Sequence, residues 1–171
     1  MKYFSLLIVC MISICHAQDV DPNKKLQELG IQLTELKPPV ANYVKAVQTG
    51  KLLFISGHIP DEVVGKKTRG KVGTQLTLEE GKEAARITTI GLLSTLQYYA
   101  GNLTNVKRIV KVTGMVNADP TFTQHPFVMN GCSDLLVAVF GDAGRHARAA
   151  VGMSSLPFDA AVEIEMIVEL K

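Results

Sequence analysis

From Val162 to Leu170 the chain alternates Val162, Ile164, Met166, Val168 and Leu170 with Glu163, Glu165, Ile167 and Glu169. A period of two belongs to a strand with one face in a core, and the carboxylates mark the other face. The segment before it, Ala147 to Met153, turns Ala149, Val151 and Met153 one way and Arg148, Ala150 and Gly152 the other. With the SSLPFD segment as a loop, an antiparallel hairpin sets Gly152 against Asp159, Ala150 against Ala161 and Arg148 against Glu163. A guanidinium and a carboxylate then share the face away from the core. Ala150, Gly152 and Ala161 are too small to make a solubilising surface, so something is expected to lie close to that face, and a second copy of the chain is the partner read from them. A planar Arg fork suits a bidentate carboxylate ligand, whereas the plainer alternative is a cross-strand ion pair on a solvated surface.

The 171 residues suit one domain with a sizeable core, and the formal net charge of +2 implies neither nucleic acid nor an anionic membrane as partner. Residues 1–17, MKYFSLLIVCMISICHA, place Lys2 before an apolar run and Ala17 at a possible cut, the layout of a secretory signal peptide. The run is short for a transmembrane helix, so no membrane association is expected after cleavage, and the expected destination is the exterior or an endomembrane lumen. Cleavage would remove Cys10 and Cys15 and leave Cys132, which sits in a helix-like run and reads as a small buried apolar residue. In that compartment the sequon Asn102-Leu103-Thr104 becomes a possible N-glycosylation site.

Asp21 and Pro22 open a short helix that Gly30 ends, and residues 18–37 form an N-terminal helix and linker that stops at the Pro38-Pro39 break. Strands over Tyr43–Gln48 and Leu52–Gly57, turned at Thr49-Gly50, form a first hairpin. The lysine-rich stretch to Thr77 reads as a surface loop whose Lys66, Lys67, Arg69 and Lys71 form a solvated charge run rather than an anion site. Thr77 and Glu80 spell a capping box for a helix that runs to Ala100 and stops at Gly101, with Ala85, Leu92, Leu96 and Tyr99 facing the core. A strand over Val106–Val116 and a helix over Pro126–Phe140 follow. The order predicts an α+β sheet with two helices on one face.

RAAVGMSSLPFDAAVEIE resembles the C-terminal signature of the Rid family (YjgF/YER057c/UK114) of reactive imine and enamine deaminases. NYVKAVQTGKLLFISGHIP resembles that family's first hairpin, and VMNGCSDLLVAVFG its second helix. The N-terminal helix, the long loop and the GRHAR segment are similar to the longer L-PSP endoribonuclease or chorismate mutase-like branch. The resemblance covers residues 38–171. It implies a chorismate mutase-like mixed sheet and a homotrimer with a site in each cleft between subunits. It also implies that Arg148 binds a substrate carboxylate, that Glu163 positions water, and that Tyr43, Ser56, Gly57 and Asn130 line the cleft. Ala150 stands where the family often has cysteine, a position thought to act through its backbone.

Imine hydrolysis needs an anchored ligand, water beside an electrophilic carbon, and a proton for the departing amine. Arg148 and Glu163 suit these roles, with Tyr43 and Ser56 as hydroxyls, and no cofactor or metal is implied. His58, His125 and His146 lack metal-ligand spacing and read as hydrogen-bonding residues, His146 being the one beside Arg148. The function expected is hydrolysis of 2-imino or 2-enamino acids to 2-oxo acids and ammonia. The alternatives are a non-catalytic trimeric binder of small carboxylates and, with less support, a single-stranded RNA endoribonuclease.

Overall fold

The computed structural model describes residues 20–36 and 42–171; the signal peptide expected over residues 1–17 and the Pro38-Pro39 break lie outside the described residues. Helix α1, Pro22–Glu28, starts at Asp21, whose carboxylate accepts from the backbone N–H groups of Asn23 and Lys24. Strands β1, Ala46–Thr49, and β2, Leu52–His58, pair antiparallel with Thr49 opposite Leu52. The turn therefore occupies Gly50-Lys51, one residue later than the sequence predicted, because Gly50 takes the left-handed corner at φ 56°. Helix α2, Leu78–Ala100, carries the predicted capping box, with Thr77 N–H donating to Glu80 at 2.8 Å and Glu80 N–H to Thr77 Oγ1 at 3.2 Å. Strand β3, Val106–Asn117, helix α3, His125–Phe140, strand β4, Ala147–Met153, and strand β5, Val162–Leu170, complete the chain.

The sheet has the order β1-β2-β5-β3-β4, antiparallel except for the parallel β3-β4 pair, and α2 and α3 lie together on one face of it. This corrects the predicted terminal hairpin. β4 and β5 do not pair: Arg148 stands beside Val112 of β3, and Glu163 beside Met115 on the other edge of that strand. The reason is the connection. Helix α3 carries the chain from β3 back to the same end, which makes β4 parallel to β3, and the loop after β4 then steps over β3 to β5.

The faces are corrected as well. Val112, Gly114 and Val116 of β3 lie on the helix side, so their register partners Arg148, Ala150 and Gly152 do too, while Glu163 and Glu165 point to the opposite face. The small residues have a partner within the chain. A Cβ on Gly152 would stand 2.4 Å from His125 Nε2, and Ala161 is fully buried, so α3 and the core fill the space that the sequence reading gave to a second copy.

The core between sheet and helices is built from residues such as Leu53, Leu93, Leu96, Ile109, Met129, Leu136 and Ile164, all fully enclosed. Gly131 sets the α2-α3 distance: a Cβ there would lie 2.0 Å from the Lys82 carbonyl oxygen. Gly131→Ala is expected to cost about 1–3 kcal/mol through overpacking against backbone, read as a lower midpoint in urea denaturation with an unchanged slope. The lysine-rich loop is tied to its own chain. Lys66 pairs with Glu83 at 3.2 Å and Lys67 with Glu80 at 2.9 Å, Arg69 donates to the Pro60 carbonyl at 2.9 Å, and Lys71 donates to Asn117 Oδ1 at 3.1 Å and to the Ser154 carbonyl.

Candidate functional site

The residues singled out from sequence fall into two groups on one protomer. The first surrounds Glu163. Between the pairs Ile55-Met166 and His58-Ile164 the β2-β5 register slips, which makes a bulge of Ser56 and Gly57. The bulge is held from every side: Ser56 N–H donates to the Lys45 carbonyl at 2.9 Å and Ser56 Oγ to the Val44 carbonyl at 2.8 Å. His58 Nδ1 lies 2.7 Å from the Ser56 carbonyl, which can only accept, so Nδ1 carries the proton and Nε2 accepts from Thr95 Oγ1 at 2.7 Å. Burial holds the His58 pKa below its ordinary value, with Lys45 acting in the same direction and the Ser56 hydrogen bond against it.

That bulge brings Gly57 against the Glu163 carboxylate so closely that a Cβ would stand 2.1 Å from Oε1. Glu163 forms none of the ion pairs or side-chain hydrogen bonds found among the described residues. Its pKa is raised, first by burial and then by the neighbouring charge of Glu165. A carboxyl group so placed exchanges a proton closer to neutrality than an exposed one, which suits a general acid or base. Tyr43, Gly57 and Glu163 share a cavity of about 380 Å³ with Lys45, His58 and Phe158. Ser56 faces an adjoining depression of 260 Å³ on the outer face of the sheet.

The second group lies on the edge strand β4. Arg148 donates through one terminal nitrogen to Asn130 Oδ1 at 3.0 Å and to Ser133 Oγ at 2.9 Å, both on α3. Ser133 Oγ is 3.1 Å from His146 Nε2, and His146 Nδ1 donates to the Gly144 carbonyl at 2.7 Å. The chain of bonds runs from guanidinium to hydroxyl to imidazole and fixes one terminal nitrogen of an exposed arginine. Ala150 sits two residues on, half-buried against the core. Asn130 was legible from sequence; Ser133, three residues later on the same helix face, was not singled out although its spacing predicts that it meets the same partner.

Burial, and then the positive charge of Arg148, hold the His146 pKa below its ordinary value, while the Gly144 bond opposes them. A depressed pKa gives stability that is present in full above the unfolded value near 6.5 and is lost as pH falls through the folded one. Between pH 7.5 and 5.5 the melting temperature of His146→Gln should therefore fall less than that of the wild type. Equal losses would show that His146 does not contribute.

Arg148 and Glu163 lie on opposite faces of the sheet with β3 between their strands, so one protomer does not bring them together. Cys132 is buried and its thiol is pushed up to about 11 by that burial, the state of an inert apolar residue. Of the charged residues that line the 600 Å³ cavity near α1, three are engaged: Asp21 caps the helix, Lys107 holds Glu169 at 2.7 Å and Asp142 holds Arg145 at 3.1 Å. Asn102 is exposed, and its side-chain oxygen accepts from Thr104 N–H and Oγ1, each at 2.8 Å. Among the described residues no cluster of His, Cys, Asp and Glu could hold a metal, and no helix is long and apolar enough to cross a membrane.

Comparison with known proteins covers the same span. Protein TCP17 of Trypanosoma cruzi is 47% identical over 146 residues, 85% of this chain and 91% of that protein. A RutC family protein of Pyrococcus horikoshii is 30% identical over 136 residues, 78% of this chain and 92% of its own length. The crystal structure of Atu1372, a protein of unknown function from Agrobacterium tumefaciens, superposes with a TM-score of 0.79 at 39% identity, covering 88% of this chain and 94% of that one. The family described as "YjgF/chorismate mutase-like, putative endoribonuclease" matches residues 23–170. With the fold, the relatives and nearly the whole described chain in agreement, this protein belongs to the YjgF/chorismate mutase-like family, the Rid family that its C-terminal strands resemble.

Proposed function

We propose that the chain assembles as a cyclic homotrimer and hydrolyses small 2-imino or 2-enamino acids to 2-oxo acids and ammonia in the clefts between copies. The observation that carries this reading is the division of the site. An anchored guanidinium stands on an open edge strand, and a carboxyl with a raised pKa, with no ion pair or side-chain hydrogen bond among the described residues, projects from the other face of the same sheet at a cavity by its β2 end. Each copy holds half of a site, and a neighbour in a closed ring supplies the other half. The outer face of the sheet supports assembly, since Val47, Phe54, Val151 and Met153 are exposed there with no layer over them among the described residues.

In the joined cleft Arg148 of one copy grips the substrate carboxylate, and Asn130 and Ser133 keep its fork from swinging away. Glu163 of the other copy takes a proton from water, whose oxygen adds to the C=N carbon. That proton passes to nitrogen to give a carbinolamine; Glu163 then moves the carbinolamine's hydroxyl proton to the same nitrogen as the C–N bond breaks, so that ammonia leaves and the C=O of the 2-oxo acid forms. Tyr43 and Ser56 finish the polar lining.

Two other readings remain distinct. A non-catalytic binder of small carboxylates would use the same cleft without turnover, and an endoribonuclease would need a basic surface for RNA. The lysine-rich loop spends Lys66, Lys67, Arg69 and Lys71 on partners in its own chain, which counts against the last. The test is release of 2-oxo acid from imines generated by an amino acid oxidase. Release that disappears in Arg148→Ala supports hydrolysis, and 2-oxo acid binding without release would replace it with the binder.

A further inference from the structure

Phe158 carries two costs at once. It is 76% exposed, and it stands at φ 54° beside Asp159, also at φ 54°. A left-handed backbone is unfavourable for a bulky residue, and an aromatic ring in water forgoes the gain of burial. Strain of this kind persists only where the surroundings impose it, and it collects at ligand sites.

Here the surroundings are specific. Gly70 N–H donates to the Asp159 carbonyl at 2.7 Å, and Asn117 Nδ2 donates to Asp159 Oδ1 at 3.0 Å. Ala160 N–H donates to the Pro157 carbonyl at 3.0 Å, and Lys71 ties Asn117 to the Ser154 carbonyl. The long loop after the first hairpin therefore clamps the loop that carries Phe158. The clamp buys no burial for the ring within its own protomer. What it does is hold the ring at the wall of the 380 Å³ cavity, with Leu36, Tyr43, Ile59 and Pro157, beside the Glu163 carboxylate.

We infer that Phe158 is the specificity-determining residue of the Glu163 cleft, where it forms with Leu36 and Tyr43 an apolar wall that selects ligands with branched or aromatic side chains over those with small ones. The inference rests on the reading of this cleft as the 2-imino acid site. The polar end of such a ligand is fixed by Arg148 and Glu163, so its side chain is the part left to meet the wall. An apolar pocket discriminates by about 10- to 200-fold for the loss of one methylene.

The experiment compares wild type, Phe158→Ala and Phe158→Gly on imines generated from leucine and from alanine. In parallel, calorimetry measures binding of 4-methyl-2-oxopentanoate and pyruvate. Wild type should favour the leucine-derived imine, and Phe158→Ala should lower that preference by about tenfold. Phe158→Gly should lose the preference with a melting temperature equal to or above that of wild type, since glycine relieves the φ strain; a side chain with a merely structural role would lower it.

An unchanged preference in rate and in binding overturns the inference, as does an altered sedimentation coefficient in Phe158→Ala, which would make the ring an interface residue. Failure of both oxo acids to bind, without turnover, also overturns it. If no imine is hydrolysed but the binding preference shifts in Phe158→Ala, the deaminase reading falls and the inference stands. If both imines are hydrolysed with the same ratio in every variant, the inference falls and the deaminase reading stands.

Discussion

Arg148→Ala is expected to lower kcat/KM for imine hydrolysis by roughly a hundredfold to a thousandfold, with little change in thermal stability. The side chain is exposed on an edge strand, and the two groups that hold it, Asn130 and Ser133, can turn to water when it is gone. Stability therefore has little to lose. The loss in rate is large because a carboxylate brought out of water and left without its cation keeps its full desolvation cost. Arg148→Lys should recover only a small part of the rate. An ammonium is a single point of charge and cannot present a fork to the ligand while also bridging Asn130 and Ser133. A lysine variant with near wild-type kcat/KM would mean that geometry at this position does not matter.

Gly57→Ala should be as damaging by a different route. A Cβ at 2.1 Å from Glu163 Oε1 forces the carboxylate to turn or the bulge to shift. Displacement of about 1 Å at a reacting group costs about a hundredfold in rate. Glu163→Gln keeps the volume and removes the titration, and general acid-base catalysis of about 10²- to 10⁴-fold goes with it. The two variants separate in stability. Because the folded pKa of Glu163 lies above its unfolded value, the stability it contributes is present below the unfolded pKa and is lost as pH rises through the folded one. At pH 7 the ionised group is a burden, so Glu163→Gln should melt no lower than wild type, and higher where the burden is felt. Gly57→Ala should melt lower than wild type. A Glu163→Gln protein that melts well below wild type at pH 7, or a Gly57→Ala protein with full activity, would show that this carboxyl is not held as described.

Much of the fold was legible because it is written in local chemistry. The Asp21 cap, the Thr77-Glu80 box, the glycine stops and the strand faces of β5 are decided within a few residues, and the structure places them as predicted. Pairing was not local. Nothing between Met153 and Val162 says that β3 will lie between β4 and β5, and the parallel direction of β4 follows from α3, a helix predicted over Pro126–Phe140 whose crossover the local hairpin pairing does not take into account. The same omission misassigned Ala150 and Gly152, whose small side chains make room for α3. The family resemblance named Arg148, Asn130, Tyr43, Ser56, Gly57 and Glu163 but not Ser133, and the separation of Arg148 from Glu163 across the sheet is a property of the register alone. Phe158 escaped notice because a left-handed position is foretold by Gly or Asn, and here the clamp from the long loop overrides a residue type that gives no such sign.

Mixing two inactive variants tests the divided site most directly. Arg148→Ala protein supplies intact Glu163 and Glu163→Gln protein supplies intact Arg148, so clefts that pair them across a ring are whole. Equal co-expression with random assembly should restore about a quarter of wild-type turnover, because one cleft in about four draws both intact halves. Co-assembled variants that stay inactive, or a lone protomer with full wild-type turnover, would contradict a cleft built from two copies.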